Sequence, residues 1–188
     1  MTDTKINQKK DLNDMNDILN LDSLILKNNQ EYKKILKGWL NPDKNVKSKL
    51  LYRMTRDGKN FSTFHSLCDN KGPTLILIKI IEGDIIGMYT PLSWESQKVL
   101  EKKDPNIFVF SLTKNLKIME NMKDCGSGMY CGNDLGPCSE YMGFQNNRGI
   151  NYVCIYPCIN TFEGVGKFGL KETTYLNSEV EIFEIIIE

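Results

Sequence analysis

Leu50 to Ile80 read LLYRMTRDGKNFSTFHSLCDNKGPTLILIKI, and the character of the chain changes several times within this stretch. Leu50–Met54 is a short β-rich run. Arg56-Asp57-Gly58 then suits a turn, with Asp accepting backbone hydrogen bonds and Gly taking a positive φ. Phe61, Phe64, Leu67 and Cys68 follow at spacings of three, three and one, which places them on one face of a short helix with Ser62 near its start. Asp69 is expected to pair with Lys71 or Arg56. Lys71-Gly72-Pro73 turns the chain into Thr74–Ile81, a mostly apolar run that reads as a buried strand.

Outward from this stretch, Glu82-Gly83-Asp84 separates Thr74–Ile81 from Ile85–Thr90, and its Gly supplies the positive φ that a tight hairpin needs. Further β-rich runs occur at Ile107–Leu112, Tyr152–Tyr156 and Val180–Ile187, while Cys125 to Gly149 reads as irregular. Short strands punctuated by Gly, Pro and Asn, without alternating long helices, predict an antiparallel sandwich rather than a parallel α/β sheet. Upstream, Tyr32, Ile35, Leu36, Trp39 and Leu40 mark an amphipathic helix stopped at Asn41-Pro42. Apolar residues at Leu12, Met15, Ile18, Leu19, Leu21 and Ile25 predict another over Leu12–Leu26, with Asp11 as N-cap. Both helices are expected to pack on the domain, because they are too short and irregular for a coiled coil.

The Leu-Tyr-Arg strand, Arg56-Asp57-Gly58, the helix ending at Cys68-Asp69 and Lys71-Gly72-Pro73-Thr74 occur in an order that resembles the opening of the TLDc domain family. Gly87 to Trp94 (GMYTPLSW) resembles that family's second strand and its Pro-Leu-Ser-Trp corner. Asn106 to Leu112 (NIFVFSL) resembles its Phe-rich strand, and residues 129–137 and the final EVEIFEI continue the likeness. Gly136-Pro137 is followed here by Cys138-Ser139-Glu140, where the family usually has an aromatic-glycine step and a Gly-rich strand. The resemblance implies a mainly β (α+β) fold, a two-sheet antiparallel β-sandwich flanked by short helices. It divides the chain into a helical lead-in at residues 1–37 and a TLDc-like domain at 38–188. It also implies a non-enzymatic, protein-binding role in oxidative-stress resistance, with the vacuolar proton-pumping ATPase as partner. The signature residues Arg56, Asp57, Gly58, Cys68, Asp69, Lys71, Gly72, Pro73 and Trp94 are expected to be structural.

Composition narrows the alternatives. The chain has 188 residues, enough for one good-sized core, and its 24 Lys plus Arg balance its 24 Asp plus Glu. No basic excess steers it toward nucleic acid. The first thirty residues contain no apolar run like a secretory leader, and six Cys are then expected as reduced thiols in a cytoplasmic or nuclear setting. The longest apolar run falls far short of the ~20 residues that span a bilayer, so no membrane insertion is expected. The chain contains no Ala, a bias assigned to base composition rather than to function.

Catalytic constellations are thin. The one His, His65, precedes Cys68 by three residues, so the two could share a helix face as an imidazole–thiolate pair. Cys68 also lies on the apolar face, where a thiol acts as a small hydrophobe. Cys125, Cys131, Cys138, Cys154 and Cys158 are candidate redox thiols, but only Cys154 and Cys158 have a zinc-like spacing, so neither metal nor cofactor is expected. Gly164, Gly166 and Gly169 match a dinucleotide fingerprint, yet the β-branched and polar Leu170–Asn177 does not suit the helix such a site requires.

Two functions compete with the binding module. A cysteine-based redox sensor or peroxide scavenger would need a low-pKa, accessible thiolate. A nucleic-acid-binding stress regulator would stack bases on aromatics such as Tyr52, Tyr89 and Trp94, without the basic field that normally accompanies them.

Overall fold

The computed structural model describes residues 18–96, 100–119, 128–139, 142–147, 150–155 and 174–188. Three helices are present among them: α1 (Gln30–Leu40), α2 (Met54–Asp57) and α3 (Phe61–Cys68). The strands are β1 (Val46–Arg53), β2 (Thr74–Ile80), β3 (Ile85–Thr90), β4 (Leu100–Lys103), β5 (Phe108–Ser111), β6 (Leu116–Met119), β7 (Gly128–Cys131), β8 (Cys138–Ser139), β9 (Met142–Asn147), β10 (Ile150–Ile155) and β11 (Thr174–Ile187). All the strand pairings are antiparallel.

One sheet runs β1-β11-β2-β3-β5-β6 and the other β4-β7-β8-β9-β10, with β11 shared between them. Thr174–Leu176 of β11 pair with β10. Beyond Asn177 the strand pairs with β2, with a register shift between Asn177 and Glu179. A bulge kinks a strand and increases its twist, which lets one long strand serve both sheets. The protein is therefore mainly β, two antiparallel sheets with short helices, as the resemblance implies.

The period-two geometry of β2 divides its side chains between two cores. Ile76, Ile78 and Ile80 belong with Met88, Trp94, Val109, Met129, Met142 and Val153, in the cluster that draws on both sheets. Leu75 and Leu77 belong to a second cluster with Tyr89, Phe108, Phe110 and Phe183, closed by Leu19, Leu21, Leu26 and Leu36 from the segment before β1. Burial on both faces explains why the run is apolar without alternation. Its partner is β3, paired from Thr74↔Thr90 to Lys79↔Ile85, and Gly83 in the connecting turn has φ 102°. The predicted hairpin is thus present.

The helix α1 matches the predicted periodicity: Asn29 Oδ1 caps it by accepting from Tyr32 N at 3.0 Å, and Asn41 ends it in an extended conformation. The helix predicted over Leu12–Leu26 does not extend through Ile18–Leu26. Asp11, Leu12 and Met15 lie outside the described residues. Leu19, Leu21 and Ser23 are buried while Asn20 and Asp22 are exposed, the alternation of an extended segment, and only a turn at Leu24–Asn28 follows. Tertiary bonds decide this: Glu181 of β11 accepts from Leu24 N and Ile25 N, and Ser23 Oγ accepts from Leu26 N. These contacts stop the chain on the sheet. Apolar residues at 18, 19, 21 and 25 fit either period, and burial against a sheet selected the extended one.

The stretch read as irregular also differs, since its described residues include β7, β8 and β9. These strands are Gly- and Asn-punctuated and carry little β-branched character, so propensity did not reveal them.

Candidate functional site

The signature residues assemble at the corner where α2 and α3 meet both sheets. Asp57, the last residue of α2, turns back to accept from Arg53 N at 2.8 Å, and the Arg56 guanidinium grips the same carboxylate at both oxygens, each at 2.7 Å. Gly58 ends the turn at φ 90°, and the Tyr52 hydroxyl donates to its carbonyl at 2.6 Å. Arg56 also donates to Leu51 O at 3.1 Å. The Arg56 hydrogen bond and, after it, the Arg53 amide hold the Asp57 carboxyl below the usual carboxylate range.

That depression has a sign. A carboxyl whose folded pKa lies below its unfolded value contributes stability above the unfolded pKa of about 3.9, and loses it as pH falls through the folded value. Asp57→Asn should therefore cost more at pH 7 than at strongly acidic pH. Denaturation midpoints of the two proteins, compared across pH, should converge on acidification; a pH-independent difference would refute the linkage.

The second half of the signature closes around Trp94. Its indole is fully buried, donates from Nε1 to Thr74 Oγ1 at 2.9 Å, and packs edge-on to Phe64 with ring centroids 5.6 Å apart. Asn70 N donates to Trp94 O at 3.0 Å, and Asp69 forms a parallel bridge with Trp94. Gly72 passes close to the neighbouring loop, where an added Cβ would meet Leu92 O at 3.0 Å. The Gly72–Pro73 bond is cis, and Pro73 O accepts from Ile185 N at 2.8 Å. Lys71 is exposed, with its N–H donating to Cys68 O at 3.1 Å.

Asp69 bonds neither Lys71 nor Arg56. It lies one helical turn beyond His65 and faces the imidazole, with Oδ1 at 2.7 Å from His65 Nδ1. His65 Nε2 faces two carbonyl oxygens, Gly132 at 2.9 Å and Leu135 at 3.0 Å. The imidazole thus ties α3 to the turn after β7. Sequence reading missed this contact because Gly132 and Leu135 lie far along the chain and offer only backbone oxygen.

The suspected His65–Cys68 couple is not assembled. The imidazole nitrogens face other atoms, and burial pushes the Cys68 thiol far above its ordinary range, with Asp69 and Asp57 acting in the same direction. Burial also raises the Cys131 thiol. Neither resembles an activated nucleophile. Cys138 and Cys154 occupy strands on either side of β9 and both pair with Gly143. Two strand spacings are about 9.6 Å, beyond the ~7 Å limit for a disulfide. Cys125 and Cys158 lie outside the described residues, as do Gly164, Gly166 and Gly169.

Native protein should accordingly leave Cys68 and Cys131 unmodified by a thiol-alkylating reagent until it is denatured. Peptide mapping of labelled protein checks this; rapid labelling of either residue in the folded state would contradict their burial. Among the described residues, no three His, Cys, Asp or Glu side chains group to hold a metal ion.

The base-stacking alternative also loses its platform. Tyr52 and Trp94 are buried in the core shared by the sheets, whereas Tyr89 belongs to the other cluster. No helix among the described residues is long and apolar enough to cross a membrane. No curated protein matches the chain. The TLDc domain model matches residues 20–155, covering the strand, turn, helix and Trp corner described above, and the chain therefore belongs to the TLDc domain family.

Proposed function

We propose that this chain is a non-enzymatic binding module of oxidative-stress resistance that engages the vacuolar proton-pumping ATPase and alters its assembly. The observation that carries the non-enzymatic part is how the signature is used. Asp57, His65, Asp69 and Trp94 each make short bonds that close the corner, and Cys68 is held as a buried thiol. A nucleophile needs an accessible reactive form and a base aimed at it; here the Cys68 thiol is buried and both His65 ring nitrogens face other partners, which supports this reading. The pump as partner rests on the family resemblance, since fold alone does not assign a partner.

The test is incubation of the full chain with intact pump, followed by measurement of complex formation and release of the soluble sector. Binding that survives replacement of every Cys supports the module. Failure to bind across salt and nucleotide conditions refutes the pump assignment, and peroxide consumption abolished by Cys replacement would assign a thiol enzyme instead.

A further inference from the structure

Away from the signature corner, the outer face of the β2-β3-β5-β6 sheet carries a groove of about 210 Å³ beside the C-terminal end of α1. Trp39, Tyr89, Pro91, Phe108, Lys117 and Met119 are prominent in its lining. Its floor is built of ring contacts: Tyr89 and Phe108 stack with centroids 5.1 Å apart, and Phe108 leans on Phe110, which in turn meets Trp39 at 5.6 Å. Met119, at 45% exposure, adds an apolar side chain to its lining, which also includes the exposed Asn106. Asp104, which bonds Asn106 N and Nδ2, acts electrostatically on Tyr89.

Lys117 is the decisive residue. Its ammonium donates to Trp39 O at 3.1 Å and lies 4.2 Å from the centre of the Phe108 ring. Among the described residues, no carboxylate lies within 4.0 Å of it. Burial lowers its pKa, with no opposing anion among the causes. An incoming carboxylate would supply that missing charge in a partly dehydrated setting, where a charge-assisted hydrogen bond is stronger than one in open water.

The size of the groove selects the kind of occupant. Small-molecule sites commonly enclose roughly 300–1,000 Å³, whereas a smaller, aromatic-walled recess suits one anchoring side chain of a protein partner. The geometry points to a docking site for an acidic peptide segment, with an aromatic anchor on the Trp39–Tyr89–Met119 wall and a neighbouring carboxylate on Lys117. This deepens the binding-module reading by specifying the chemistry of the contacted segment.

The probe is the peptide Ac-Glu-Trp-Glu-NH2, titrated into the full chain by NMR beside Ac-Gln-Trp-Gln-NH2. The acidic peptide should shift the Trp39 indole N–H and the Met119 methyl and bind about tenfold more tightly than its neutral analogue, a difference of ~1.4 kcal/mol. Lys117→Met retains the stem against Phe108 and should abolish that preference. Met119→Glu should weaken binding of the acidic peptide without unfolding the chain, since this side chain is exposed.

Absence of shifts at these residues with either peptide in the millimolar range would overturn the assignment, as would an acidic preference that persists in Lys117→Met. Pump binding by the wild-type chain together with no peptide response would remove the groove and leave the module standing. Peptide binding together with no pump binding would do the reverse.

Discussion

Leu75→Asp should leave the chain unable to fold at ordinary temperature. Leu75 is fully buried in β2, within the cluster that Leu36 and Phe183 complete, and pairs with Phe183 of the neighbouring β11 and across the hairpin with Tyr89. Loss of a buried Leu side chain alone costs about 2–5 kcal/mol. A carboxylate without a partner adds a desolvation penalty of several kcal/mol more. Together these approach the whole stability of a typical domain, about 5–15 kcal/mol.

Chemical denaturation followed by circular dichroism measures the effect, and Leu75→Ala provides a variant that should remain foldable, with a loss of about 2–5 kcal/mol. Ile81→Asp is the contrasting change in the same apolar run. Ile81 is 60% exposed, so its replacement should alter stability by only about 0.5 kcal/mol. Equal midpoints for wild type and Leu75→Asp would show that this face of β2 is solvent-exposed.

The next largest loss is expected from Arg53→Met. Glu181 is completely buried, and its carboxylate accepts from Arg53 Nε at 2.7 Å, Ser23 Oγ at 2.5 Å and Leu24 N at 2.9 Å. Arg53 Nη2 also donates to Asp22 O at 2.7 Å. This network joins the segment before α1 to β1 and β11. Removal of one partner from a buried ion pair typically costs about 3–5 kcal/mol, because the remaining charge keeps its desolvation penalty without its compensation.

The double variant Arg53→Met with Glu181→Leu should recover part of that loss by removing the orphaned charge. Recovery should be incomplete, since Ser23 Oγ and Leu24 N would then lose their acceptor. Denaturation of wild type, both single variants and the double variant closes a thermodynamic cycle. A single Arg53→Met variant as stable as wild type would mean that the pair is hydrated and does not anchor the leading segment.

The cost of these two changes also shows what different kinds of sequence signal can reveal. Thr74–Ile81 announced a buried strand because few polar residues interrupt it, and Gly83 announced the hairpin because the turn needs a positive φ. Both are local constraints and were legible. Glu181, by contrast, looks like an ordinary outward-facing residue in an alternating strand. Its burial follows from the chain before α1 lying across it, more than 150 residues away in sequence.

The Lys117 groove was illegible for the same reason. Lys117 belongs to a strand without a strong β pattern, and the groove exists only because β6 pairs with β5 and brings Met119 opposite Phe108 while α1 delivers Trp39. The signature was partly legible: Arg56, Asp57 and Gly58 meet each other or their immediate neighbours, whereas Asp69 takes a partner that its charge pattern did not favour. Asp69 lies close in sequence to Lys71, but the helix geometry places it one turn from His65, where its partly buried carboxylate meets the buried imidazole.

The sequence by itself determined the α1 helix, the β2–β3 hairpin, the strand–turn–helix–turn–strand signature and the family of this protein, because short-range sterics and side-chain period act over a few residues; it did not determine the extended leading segment or β7 to β9. Tertiary structure alone decided which faces are covered, which charges are buried and where a groove is left open. Those properties depend on surfaces brought together from distant parts of the chain: a residue's period records that it has a face to bury, while burial itself depends on the element that comes to lie against it.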